Sequence, residues 1–135
     1  MNVLYVCRAN IGRSQMAQGF HNKFAKGKAT SAGTHGIEHE GKKLGELTRG
    51  ALACQVMQEE GINIKDQKIK QLNKKSTDTI DKIITMVPKK QLPPYLAQDK
   101  RVMYWKIADA KGKDYEFHIK TRDKIKQKVL TLLNN

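Results

Sequence analysis

Cys7 is followed at short range by Asn10, Arg13 and Ser14. That set suits chemistry on a tetrahedral oxyanion. A thiolate is a nucleophile, and an arginine fork holds two oxygens of the anion where a lysine offers only a point charge. Ser14 can donate a hydrogen bond to the thiolate, and Asn10 tolerates the left-handed backbone that a tight loop demands. The four side chains need a scaffold that aims them at one point. Val3 to Val6 is a short apolar run that reads as a buried strand stopping at Cys7. From about Arg13, through Gln15-Met16-Ala17-Gln18-Gly19-Phe20, the chain has helical character. Strand, tight loop and helix N-terminus in succession gather backbone N–H groups around one spot, and the helix dipole adds positive potential there. Such a field favours the thiolate. The competing reading is a small buried hydrophobe closing a strand, the commoner fate of a free cysteine. The strand before, the helix after, Asn10 inside and Ser14 behind favour the oxyanion site.

The run Cys7-Arg8-Ala9-Asn10-Ile11-Gly12-Arg13-Ser14 resembles the phosphate-binding loop of the low-molecular-weight protein tyrosine phosphatases, C-x-x-N-x-x-R-S. The stretch after it is similar to the related thioredoxin-coupled arsenate reductases, which share that fold and loop. Ser31-Ala32-Gly33-Thr34, Val56-Met57 to Gly61-Ile62, Asp81 to Met86 and Trp105 to Asp109 follow in the family's order. The resemblance implies a phosphomonoester hydrolase working through a phosphocysteine on Cys7. It assigns Arg13 to catalysis, and Arg8, Ala9, Asn10, Ile11, Gly12 and Ser14 to substrate binding, with Ser31 bracing the loop asparagine. It implies a phosphorylated protein or small phosphomonoester as partner, a phosphate-like oxyanion in the loop, and neither a metal nor an organic cofactor.

A cysteine phosphatase also needs an acid for the leaving oxygen and then a base for water. The family carries this aspartate in the pattern W-x-I/V-x-D-P. Here Trp105-Lys106-Ile107-Ala108-Asp109-Ala110 matches except that alanine replaces proline, which leaves the loop freer. Asp109 is the candidate acid and Asp114 its substitute. Lys111-Gly112-Lys113 stand where the phosphatases carry tyrosines that wall an aromatic substrate, and the nearest aromatic residue is Tyr115. Phosphotyrosine specificity is therefore in question. The reductases place two relay cysteines after the third core strand, where this chain reads Thr85-Met86-Val87-Pro88-Lys89-Lys90. Gly12 replaces a second loop cysteine common among the phosphatases. Cys54, between Leu52 and Val56, reads as core rather than as a resolving thiol. An arsenate reductase is the first rival reading; a non-catalytic oxyanion- or phosphoprotein-binding module is the second.

The chain has 135 residues, enough for one core and too few for two ordinary domains, so 1–135 is expected as a single domain. No signal peptide and no membrane-length apolar run is visible. Two cysteines make a disulfide framework improbable, and a reducing cytoplasm is the expected compartment, with a monomer as the expected state. The formal charge of +13 raises the question of nucleic acid. Its lysines are scattered and lack interleaved aromatics, so a solvated surface that steers phosphate-bearing substrates is preferred. His35 and His39 sit between glycines, against a helical metal face. His21 and His118 read as solvated positions on polar helix faces.

The elements alternate. A helix to about Lys26 precedes a strand at Ala29 to Ala32, an irregular loop from Thr34 to Glu46 and a helix from Leu47 to Glu60. A basic polar segment runs to Lys75. Strands follow at Ile80 to Val87 and Arg101 to Trp105, flanking a proline-bearing stretch. A final helix from Tyr115 to Leu133 carries Phe117, Ile125, Val129 and Leu132-Leu133 as its apolar stripe. The pattern predicts an α/β fold: a single-domain, four-stranded parallel sheet with helices on both faces, of the phosphatase I type that the resemblance implies. Ligands in such sheets bind beyond the strands' carboxyl ends, where Cys7 and the loop after Trp105 lie.

Overall fold

A computed structural model describes residues 1–134. Four parallel strands, β1 (Val3–Cys7), β2 (Ala29–Gly33), β3 (Lys82–Thr85) and β4 (Val102–Tyr104), lie in the order β2-β1-β3-β4. Helices α1 (Arg13–Ala25), α2 (Ala51–Gln58), α3 (Pro94–Ala97) and α4 (Tyr115–Leu133) complete the fold. β1 is buried throughout because it has a partner on either side.

The period of two along β1 divides the core. Val3, Tyr5 and Cys7 pack with residues of α1, α2 and α4, including Met16, Phe20, Met57, Ile125 and Val129. Leu4 and Val6 face the other way, against Ile83, Leu92 and Leu96. The first layer is thick and the second thin, for α3 is the only α-helix there among the described residues. Burying a side chain the size of Phe20 or Ile84 completely contributes about 1.5–3 kcal/mol.

Element identities agree with the periodicity, and the ends differ. β3 begins at Lys82 instead of Ile80, and β4 is trimmed by one residue at each end. α2 begins only at Ala51, because Thr48–Gly50 form a tighter 3-10 turn. Along α4 the inward face holds His118, Thr121, Arg122, Ile125, Val129 and Leu132, while Phe117 is half-buried beneath Lys113. The basic stretch after Ile64 is not loose. It runs beside the loop after β2, with Gly41 N–H donating to the Ile69 carbonyl, Leu44 N–H to Gln67 and Gly33 N–H to Lys70.

Two histidines overturn the solvated reading. His21 is fully buried, its Nδ1 sharing a 2.7 Å hydrogen bond with the Tyr5 hydroxyl. Its ring lies edge-on to Tyr5, with centroids 5.6 Å apart. His118 is buried as well, and its Nδ1–H donates to the Asp114 carbonyl at 2.8 Å. Each sits where its helix turns inward, a direction that residue polarity alone does not reveal.

Candidate active site

Cys7, Ala9, Ile11, Gly12 and Arg13 line a cleft of about 360 Å³. The chain leaves β1 at Cys7 and turns at Asn10, whose φ of +59° is the left-handed conformation expected of it. It enters α1 at Arg13. Gly12, the residue before the helix, provides no side-chain cap, and the first turn has no acidic residue. The helix's initial donors therefore stay available. Among the described residues, no backbone N–H from Ala9 to Ser14 donates to a backbone carbonyl, and the first to do so is Met16 to Gly12. These uncommitted donors belong to the loop that leaves the end of β1, where Cys7 Sγ lies 2.9 Å from Ser14 Oγ.

The Asn10 side chain is held on all sides. Its Nδ2 donates to Ser14 Oγ at 2.8 Å and to Ser31 Oγ at 3.0 Å. Its Oδ1 accepts from Lys70 N–H at 2.8 Å and from Gln15 Nε2 at 3.1 Å. Gln15 Nε2 also donates to the Asn10 and Lys68 carbonyls, and Gln67 Nε2 donates to Gln15 Oε1 at 2.8 Å. The contact of Ser31 with Asn10 is the one the resemblance implied. Gln15, Gln67 and Lys70 were not singled out by sequence, although a glutamine buried early in an otherwise apolar helix face is a recognisable signal. Gly33 admits the loop from below. A Cβ there would lie 2.7 Å from the Arg8 carbonyl oxygen and 2.8 Å from Asn10 N.

Arg13 is buried, and its Nη1 donates at 2.8 Å to both the Met86 and Ile107 carbonyls. The guanidinium plane is thereby fixed from the ends of two other strands. Its Nη2 lies 3.9 Å from Asp109 Oδ2 across the cleft. Asp109 is exposed, and its Oδ1 accepts from Lys111 N–H at 3.0 Å. Asp114 is employed elsewhere: its Oδ1 accepts from Phe117 N–H and caps α4. Arg8 is exposed outside the cleft lining, whereas Ala9, Ile11 and Gly12 line it. Thr48, Arg49, Leu52, Lys111, Lys113 and His118 line it too, and none was chosen from sequence as a site residue. Cys54 lies buried on α2, where burial pushes its thiol upward and nearby Lys65 pulls weakly the other way. No group of three or more His, Cys, Asp or Glu side chains suited to a metal ion occurs among the described residues.

A cysteine at a parallel strand's carboxyl end, under a loop of free N–H groups and beside a pinned arginine, defines an α/β protein built around a thiol and an oxyanion cradle. The model of the low molecular weight phosphotyrosine protein phosphatases matches residues 2–135, and the chain belongs to that family. The low-molecular-weight protein tyrosine phosphatase of T. tengcongensis superposes with a TM-score of 0.84 at 25% identity, covering 99% of this chain and 98% of that one. A glutaredoxin arsenate reductase of Synechocystis sp. is 28% identical over 132 residues, 97% of this chain and 95% of the relative. The solved structure of an arsenate reductase in the phosphate-binding state is 28% identical, with a TM-score of 0.76 over 99% and 98% of the two chains. Among the described residues, no helix is long and apolar enough to cross a membrane.

Proposed function

We propose that the chain is a phosphomonoester hydrolase that acts through a phosphocysteine. The observation carrying this reading is Cys7 Sγ hydrogen-bonded to Ser14 Oγ at the head of a loop, residues 9–14, whose backbone N–H groups donate to no backbone carbonyl. The loop amides and the Nη2 side of Arg13 bind the equatorial oxygens of the phosphate. They stabilise the negative charge as it spreads in the transition state. Cys7 thiolate attacks phosphorus, the S–P bond forms as the ester P–O bond breaks, and Asp109 gives its proton to the departing oxygen. Water then attacks phosphorus, Asp109 takes the water's proton, and the S–P bond breaks to return the thiolate. Ser14 stabilises that thiolate as a leaving group. Asp109 is preferred to Asp114 as the acid because it faces Arg13, whereas Asp114 is committed to capping a helix.

Hydrolysis of p-nitrophenyl phosphate with acid-quench trapping of a phosphorylated Cys7 tests the proposal. Absence of both turnover and adduct refutes it and leaves the non-catalytic binding module. Arsenate reduction is the second reading, favoured by the arsenate reductases among the similar proteins. Against it, Val87 follows β3 where the reductases' relay thiols would stand, and Cys54 is buried on α2. NADPH-coupled assays with arsenate, once with thioredoxin and once with glutaredoxin, separate the two activities.

A further inference from the structure

Three cations at the mouth of the cleft have no part in the chemistry above. Arg49 sits in the 3-10 turn Thr48–Gly50 that leads into α2. Lys111 and Lys113 come from the segment between Asp109 and α4. There Lys113 N–H donates to the Ala110 carbonyl at 3.0 Å, and Gly112, at φ +74°, lets the chain double back. All three line the same cleft as Cys7 and Arg13. Among the described residues, no carboxylate oxygen lies within ion-pair distance of any of them, and the cleft's single ion pair joins Arg13 to Asp109. Lys113 Nζ lies 5.7 Å from the Phe117 ring centroid, which gives that side chain a resting place at the mouth.

The lining lacks the opposite feature. No tyrosine, tryptophan or phenylalanine belongs to it among the described residues. The Tyr115 hydroxyl donates to Glu59 Oε2 at 2.6 Å, which ties its ring to the end of α2. A neutral aryl group thus meets no aromatic wall here beyond the single His118 imidazole, whereas a second negative charge meets three unpaired positive ones.

We propose that Arg49, Lys111 and Lys113 form a second anion subsite. The preferred substrates are then phosphomonoesters bearing another anionic group, a carboxylate or a second phosphate, close to the scissile phosphate. This rests on the phosphomonoester reading for the first phosphate. The second anion has two chemical sources: acidic side chains beside a phosphorylated residue in a peptide, or the other phosphate of a small bisphosphate.

The test uses matched pairs that differ in the second anion and release closely similar phenols. One pair is a phosphotyrosine peptide with Asp and Glu flanks against its Asn and Gln counterpart. The other is resorcinol bisphosphate against 3-methoxyphenyl phosphate. The anionic member of at least one pair should show kcat/KM on the order of tenfold higher, with the advantage shrinking at high salt. The triple variant Arg49→Gln, Lys111→Gln, Lys113→Gln should bring the ratio within that pair down to near one, about twofold per charge removed, within the range of exposed ion pairs. Preference in the peptide pair alone identifies acidic phosphopeptides, and preference in the other pair alone identifies bisphosphates. Equal kcat/KM within both pairs, or an unchanged ratio in the triple variant, overturns the subsite. The same pairs are titrated calorimetrically into Cys7→Ser. A parent enzyme that hydrolyses nothing defeats the phosphatase reading, and the affinity ratios then decide the subsite alone.

Discussion

Cys7 and Asp109 separate cleanly in what their loss should do. Cys7→Ser removes the proposed nucleophile and keeps every amide of the loop, so turnover should disappear while vanadate or phosphate still binds within a few-fold of the parent. Isothermal titration beside a p-nitrophenyl phosphate assay reads both quantities, and full activity in the variant would remove Cys7 from the mechanism. Asp109→Asn should slow hydrolysis by about 10²–10⁴, the usual range for a positioned proton donor. The loss should shrink for esters whose leaving oxygen is weakly basic, since these depart without a proton, and grow for alkyl phosphates. An equal loss across such a series would show that Asp109 holds the loop and donates no proton. The clustering of Cys7, Asn10, Arg13 and Ser14 was legible from sequence because it depends on a strand–loop–helix context only a few residues long. The mouth cations and His118 were not, because their convergence is set by α2 and by the α4 entry, and no short pattern encodes it.

The cradle also depends on the elements that press against it. Gly33, at the end of β2, leaves no room for a methyl group beneath Arg8 and Asn10. Gly33→Ala should push the loop out of register, cost about 1–3 kcal/mol as an overpacked substitution, and weaken phosphate binding. Chemical denaturation paired with phosphate titration checks it; parental affinity in a destabilised variant would mean the loop yields without losing its geometry. Strands and helices were readable from periodicity, as in Val3 to Val6 and the span of α4. Their ends were less so, because the Thr48–Gly50 turn and the trimmed β4 answer to tertiary hydrogen bonding more than to residue preference. The pairing of the segment after Ile64 with the loop after β2 was hidden for the same reason. Its polar residues spend backbone bonds on a distant partner and leave no local pattern.

For the whole molecule, the Tyr5–His21 pair makes stability depend on pH at both ends. Burial, and then the positive N-terminal amine, hold His21 below the ordinary imidazole range. The unfolded chain binds a proton near pH 6.5 that the folded chain refuses, so stability is lost as pH falls through that window. Burial pushes the Tyr5 phenol up. The unfolded tyrosine gives up its proton near pH 10 while the folded one keeps it, so stability is also lost as pH rises beyond that point. Each group contributes at most about 1.4 kcal/mol per pH unit inside its window. Urea melts of the parent and of His21→Leu across pH 4–8 isolate the acid limb as a difference, and parallel curves for the two proteins would acquit His21.

Arg13 is anchored by carbonyls 73 and 94 residues further along the chain, and Asn10 by an amide 60 residues away. A chain emerging from the ribosome therefore exposes Cys7 and Arg13 long before anything can hold the guanidinium in place. Until the strand ends bearing Met86 and Ile107 have been synthesised and docked, the thiol has the right neighbours in sequence and the wrong ones in space. Oxyanion affinity should consequently arrive late in refolding, after the helices have formed, and a chain cut short before Ile107 should carry the whole signature loop and grip no phosphate.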